Sequence, residues 1–396
     1  MLADVPAILI LVGIAAYIVL AGADFGAGLW YLLAGPGRRG RLVRDFSYHA
    51  MARVWEANHV WLIFVLAVTW TSYPTAFGSI ASTLAVTLFV AAVGIILRGT
   101  AYALRSGAPA DRGQEGVGGF AFGASSVLTP FALGAAIGGI ASGRVPVGNA
   151  AGDLVSSWLN PTSIAIGALA VAICGYVAAV YLAADATRSA QADLAQAFHR
   201  RALVIGVLAG ALAFAGLVVL RSDARPLFDD LTSGAGLVAV AASALAGAAT
   251  LALVRAERYE PARVSAAIVA GWGIAQSPDI LPGLTVHAAA AGRATLVALL
   301  ISIAVGLVVL APALGLLYGL VLRGAFDATA EAVWEQPARR APIGRRSVAA
   351  VAIALFLVGA GLTFLADGVR LAIGVVALTA FVVVGAAELL SPEVLE

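Results

Sequence analysis

The chain predicts an all-α polytopic membrane protein, on three observations. Hydrophobic residues make up 61% of its 396 positions and charged residues only 12%, with a mean hydropathy of +0.97. The apolar residues fall in blocks of about 20, the length a helix needs to cross a bilayer. No stretch shows the alternating polarity of a barrel strand. A soluble domain cannot hide that much apolar surface.

The first block, 5–33, follows Asp4 with no basic leader and runs too long for a cleaved signal, so it is expected to be the first span. Further spans are predicted at 54–74, 77–104, 117–142, 161–185, 200–220, 233–254, 262–283, 293–323, 347–366 and 370–390. The eighth is short, and Pro278 and Pro282 interrupt its end. The longest polar stretch, 324–346, carries both charge signs and two prolines. It reads as a linker between a nine-span body, 1–323, and an appended two-helix hairpin within 347–396, which has only Asp367 and Arg370 at its tip.

Arginine placement tests this layout. All 24 basic residues are Arg. With the N-terminus outside, Arg144, Arg221, Arg225, Arg293 and Arg370 face outward, and the other nineteen, including the clusters at 38–44, 200–201 and 339–346, face the cytoplasm. That is the bias of the positive-inside rule, and it makes the C-terminus cytoplasmic in a bacterial inner membrane. The clusters follow topology and do not argue for nucleic acid. The single cysteine, Cys174, lies in an apolar block and permits neither an intrachain disulfide nor a cysteine metal site. No Walker loop, dinucleotide fingerprint, HExxH or nucleophile elbow is present.

Chemistry concentrates in the first three spans. In Gly22-Ala23-Asp24-Phe25-Gly26, the two glycines share one helical face and permit close helix contact. Asp24 lies about 200° round the helix from Gly22, so it points away from that seam. It is about ten residues, or about 15 Å, from the cytoplasmic exit. In Trp55-Glu56-Ala57-Asn58-His59-Val60-Trp61, Glu56 and His59 are three apart and face the same way. A partly buried Glu is raised in pKa and His titrates near neutrality, so such a pair can pass a proton. Arg98, about six residues before the end of the third span, can snorkel to the headgroups or pair with Asp24 or Glu56. Intramembrane ionisable groups are costly in lipid and mark functional sites by default. A polar entrance from the cytoplasm accounts for all of them together. The segment Gly271–Pro278 ends the eighth span on the outer side, as a helix terminator or a ligand contact.

Three segments, Ala21–Gly28, Trp55–Leu62 and Gly271–Pro278, resemble the signature stretches of cytochrome bd quinol oxidase subunit II, in the family's order and spacing. Leu97–Tyr102, Thr129–Gly134 and Ala179–Ala183 add support, and the resemblance spans about 5–323. It implies two four-helix bundles plus a peripheral helix, paired as a heterodimer with a haem-bearing subunit I. That partner holds haem b and haem d and reduces oxygen to water with electrons from quinol. Subunit II then binds no haem directly, supports assembly and proton delivery, and has room for lipid, a structural quinone and a small single-span partner. The proton path it implies runs through Glu56, with Asn58 and His59 keeping the path polar, Asp24 relaying inward and Arg98 tuning the charge. Glu56 stands where the family usually has Asp, and Ala21 where it has a further Asp. Two other classes compete: a proton-coupled secondary transporter using the same acids, and a structural scaffold for a divergent membrane oxidoreductase.

Overall fold

The computed structural model describes residues 2–51, 55–105, 117–259 and 279–322, with scattered positions between 351 and 380. Two compact units divide the chain, Met1–Leu317 and Tyr318–Glu396. The described positions of the second unit between 351 and 380 are all helical.

The first unit is built of helices. Helix α1 (Asp4–Leu32) carries Asp4 in its first turn, where the helix dipole favours a negative charge. Helix α2 (Gly37–Met51) is short and polar. Next come α3 (Trp55–Ser72), α4 (Pro74–Thr83), α5 (Ala85–Arg105) and α6 (Val117–Ala141). Helix α7 (Pro161–Arg188) opens on a well-formed cap: the Asn160 side chain accepts from the Ser163 N–H at 2.9 Å, and Pro161 occupies the first turn, where no donor is needed. Then follow α8 (Ala192–Asp223), α9 (Arg225–Leu231) and α10 (Gly234–Arg255). An antiparallel pair of short strands, β1 (Asp279–Leu281) and β2 (Leu284–Thr285), leads through the single turn α11 (Val286–Ala289) into α12 (Arg293–Leu322). Among the described residues seven helices are long and apolar enough to cross a membrane, and a shorter apolar helix, Ala57–Ser72, accompanies them. The protein is therefore a multi-pass membrane protein.

Several expected boundaries move. The third span, expected over 77–104, is two helices broken at Leu84. Hydroxyls explain the break. Ser79 and Ser82 bond back to the carbonyls of Thr75 and Gly78, and they also accept from the backbone N–H groups of Gly148 and Ala150. Side chains that compete this way loosen a helix. The sixth span begins eight residues earlier than expected, at Ala192, because polar turns precede its apolar run. Helix α2, which lies between the first two expected spans, forms because Val43 and Tyr48 are buried beneath its arginines. At 279–281 the expected eighth span is strand, not helix. The rest of that span through Pro278, with the Gly271–Pro278 segment, and the linker 324–346 lie outside the described residues.

Helix α1 is central, packed against α3, α6 and α7, while α5 pairs with α6. The α1–α7 contact is a backbone approach: a Cβ on Gly26 would lie 1.9 Å from the Cys174 carbonyl oxygen. Trp30 Nε1 then donates to the Gly175 carbonyl at 2.8 Å. One apolar core gathers Trp30, Val43, Val177, Leu182 and Phe198 at the arginine-rich end. Another gathers Tyr73, Leu84, Val145 and Leu281 at the opposite end.

Candidate functional site

Because Gly26 turns toward α7, Asp24 turns toward α5. There it meets Arg98, and both side chains are fully buried. Arg98 Nε donates to Asp24 Oδ2 at 2.9 Å, and Nη2 donates to Oδ1 at 2.6 Å and to the Asp24 carbonyl at 2.7 Å. Nη1 donates to Ser126 Oγ on α6. Tyr102, one turn along α5, donates its hydroxyl to Asp24 Oδ1 at 3.0 Å. Every nitrogen of the guanidinium is bonded, which is the condition under which a buried ion pair is tolerated. Snorkelling, open to Arg98 on the sequence, is thereby excluded.

Aromatic rings wall the pair. The Arg98 guanidinium lies 4.4 Å from the Phe122 ring centroid, 5.2 Å from Phe25 and 5.4 Å from Tyr102, distances at which ring faces attract a cation. Tyr31, Tyr48, Tyr102 and Phe122 form one buried cluster. Tyr48 comes from α2 and its ring lies tilted against Tyr102, 5.0 Å between centroids, so the arginine-rich helix supplies part of the cover. Among the described residues these rings cover the ion pair on the side of α2. Two local features make room for the guanidinium. A Cβ on Gly28 would lie 1.9 Å from Ser126 Oγ and 3.0 Å from Arg98 Nη1. Pro130 lacks the N–H that would engage the Ser126 carbonyl, loosening α6 at the turn that meets Arg98.

Asn58 and His59 join α3 to the same face of α1. Asn58 Nδ2 donates to the Leu20 carbonyl at 3.1 Å. The His59 ring lies edge-on to Tyr17 and to Phe25, each 5.8 Å between centroids. Phe25 thus touches both the imidazole and the Arg98 guanidinium. The Glu56 side chain lies outside the described residues. The structure therefore brings Asp24 and Arg98 into contact and sets His59 one ring away.

Sequence reasoning missed Ser126, Phe122 and the role of Tyr102. Tyr102 was findable, because it follows Arg98 by four residues and so shares its face. Ser126 carried no signal in a helix rich in small residues. A haem needs an axial His, Met, Cys or Tyr standing clear toward an open pocket. His59 is packed between aromatic edges and Cys174 lies against the α1 glycines. Among the described residues no group of His, Cys, Asp and Glu could hold a metal ion.

The family model for cytochrome bd terminal oxidase subunit II matches residues 2–321. Among solved structures, a chain of bd oxidase from Geobacillus thermodenitrificans matches with a TM-score of 0.61 at 23% identity, covering 81% of this chain and 98% of that chain. At that identity the likeness speaks for the fold. No curated protein matches.

Proposed function

We propose, since the chain belongs to the cytochrome bd terminal oxidase subunit II family, that it is the haem-free second subunit of a quinol oxidase. In this reading a haem-bearing subunit I in the bacterial inner membrane oxidises quinol and reduces oxygen. This chain supports its assembly and carries protons toward it from the cytoplasmic side. The family match over residues 2–321 carries the reading, and the expected nine-span body and two-bundle arrangement belong to it. The arginine bias favours an outer N-terminus and a cytoplasmic C-terminus.

Within that reading Glu56 accepts the proton, and Asn58 and His59 keep the path polar. Asp24 is the inner relay, and Arg98 sets its potential. Passing a proton through Asp24 means loosening its bonds to Arg98 and Tyr102. Breaking a buried pair costs about 3–5 kcal/mol, and that cost gates the path. The test is oxygen uptake with quinol by the complex co-expressed with its haem subunit. A Glu56→Ala, Asp24→Ala double variant should assemble with haem and lose most turnover; full turnover overturns the proton assignment. A scaffold role is the second reading, favoured by the complete burial and pairing of Asp24. Alanine at each acid would then reduce assembled complex while turnover per haem stayed unchanged.

A further inference from the structure

Arg201 differs from Arg98 in one respect that matters. Its guanidinium is stacked over two rings, 5.4 Å from the Trp30 centroid and 5.2 Å from Phe198. Its Nη1 is buried and has no hydrogen-bond partner. Among the described residues Arg39 of α2, of the same sign, bears on it electrostatically. A buried donor on a cation, left unmatched beside a second cation, is strongly unfavourable. Such an arrangement persists when an anion completes it.

Position identifies the anion. Arg201 is the last polar residue before the apolar run 202–220, which Arg221 closes at the other end. A run of that length fits the hydrocarbon core, so Arg201 stands at headgroup depth. Trp30, near the end of α1, is the amphipathic ring common at that level. Arg39 and Arg200 are exposed at the same end. Paired guanidinium groups bind phosphate through several charge-assisted hydrogen bonds, and clustered Arg residues at a membrane surface select anionic lipid.

We propose that Arg201 and Arg39, on the floor made by Trp30 and Phe198, form a binding site for the phosphate of an anionic phospholipid. The site is separate from the Asp24–Arg98 centre and does not rest on the oxidase assignment.

The experiment uses the full chain, purified with whatever subunits accompany it, and native mass spectrometry with added phosphatidylglycerol or phosphatidylcholine. The wild type should hold phosphatidylglycerol about fivefold more tightly than Arg201→Gln, with phosphatidylcholine unaffected. Arg201→Lys should recover part of the difference. Arg39→Gln, an exposed change that cannot unfold the chain, should give a smaller loss and decides the matter if Arg201→Gln fails to assemble. Displacement of the lipid by millimolar inorganic phosphate would keep the phosphate chemistry and assign it to the free ion. Equal retention of phosphatidylglycerol by the wild type and the Arg39 and Arg201 variants overturns the proposal. So does a wild type that binds no lipid while Arg201→Gln weakens subunit association, since a partner carboxylate would then be the missing anion.

Discussion

Helices α7 and α8 are neighbours of similar length and hydropathy, yet they occupy opposite environments. Their most apolar windows have mean hydropathies of 2.2 and 2.7, but 56% of the first is buried within the protein and only 6% of the second. Side-chain size makes the difference. Helix α7 offers Cys174, Ala178, Ala179 and Ala183 to its neighbours, and their small volumes let backbones approach. Helix α8 turns Val204, Val207, Phe214 and Val218 outward. Hydropathy reports that a segment can enter a bilayer; the distribution of small residues reports whether other helices will cover it.

The sharpest way to break the buried side is to unpair its charges. Arg98→Leu leaves Asp24 buried alone and should lower stability by about 3–5 kcal/mol, seen as a fall in the thermal midpoint of the solubilised complex. An Asp24→Leu, Arg98→Leu double variant should recover most of that loss, because two apolar side chains replace a satisfied pair. Next in size is a matched glycine comparison. Gly26→Ala drives a methyl into the Cys174 carbonyl and should cost about 1–3 kcal/mol. Gly210→Ala on α8 meets nothing within 4 Å and should be neutral or stabilising by up to about 1 kcal/mol, as for an exposed helical glycine. Equal effects at the two positions would dissolve the distinction.

Smaller effects belong to the rim. Arg144 donates to both oxygens of Asp223, at 2.7 and 3.2 Å, and Thr162 donates its hydroxyl to Oδ2 at 2.6 Å, tying the end of α8 to the start of α7. Arg144 is partly exposed, so Arg144→Ala should cost about 1 kcal/mol, less in high salt. Smallest of all, Val207→Ala on the outward face of α8 should stay within about 0.5 kcal/mol in the same unfolding assay.

The membrane class and the acid in α1 were legible because charge inside an apolar run stands out. Arg98 was legible as a candidate partner of Asp24 or Glu56, but the choice between pairing and snorkelling was not. Its distance from the helix end suits snorkelling equally well, and only the adjacency of α1 and α5 decides. Helix α2 was hidden because its buried stripe is thin and its charges dominate any window. The break at Leu84 was hidden because it arises from serine hydroxyls meeting a loop about 70 residues away. The site's aromatic cover is assembled from α1, α2, α5 and α6, and no single segment announces it.

The seam between α1 and α7 carries its own reporter. Cys174 is the chain's single thiol, enclosed where Gly22 and Gly26 pass it. A membrane-permeant alkylating reagent can reach that sulfur only when the two helices part. The rate at which the native protein takes up such a label, with no engineered probe, therefore times how often the heart of the bundle breathes.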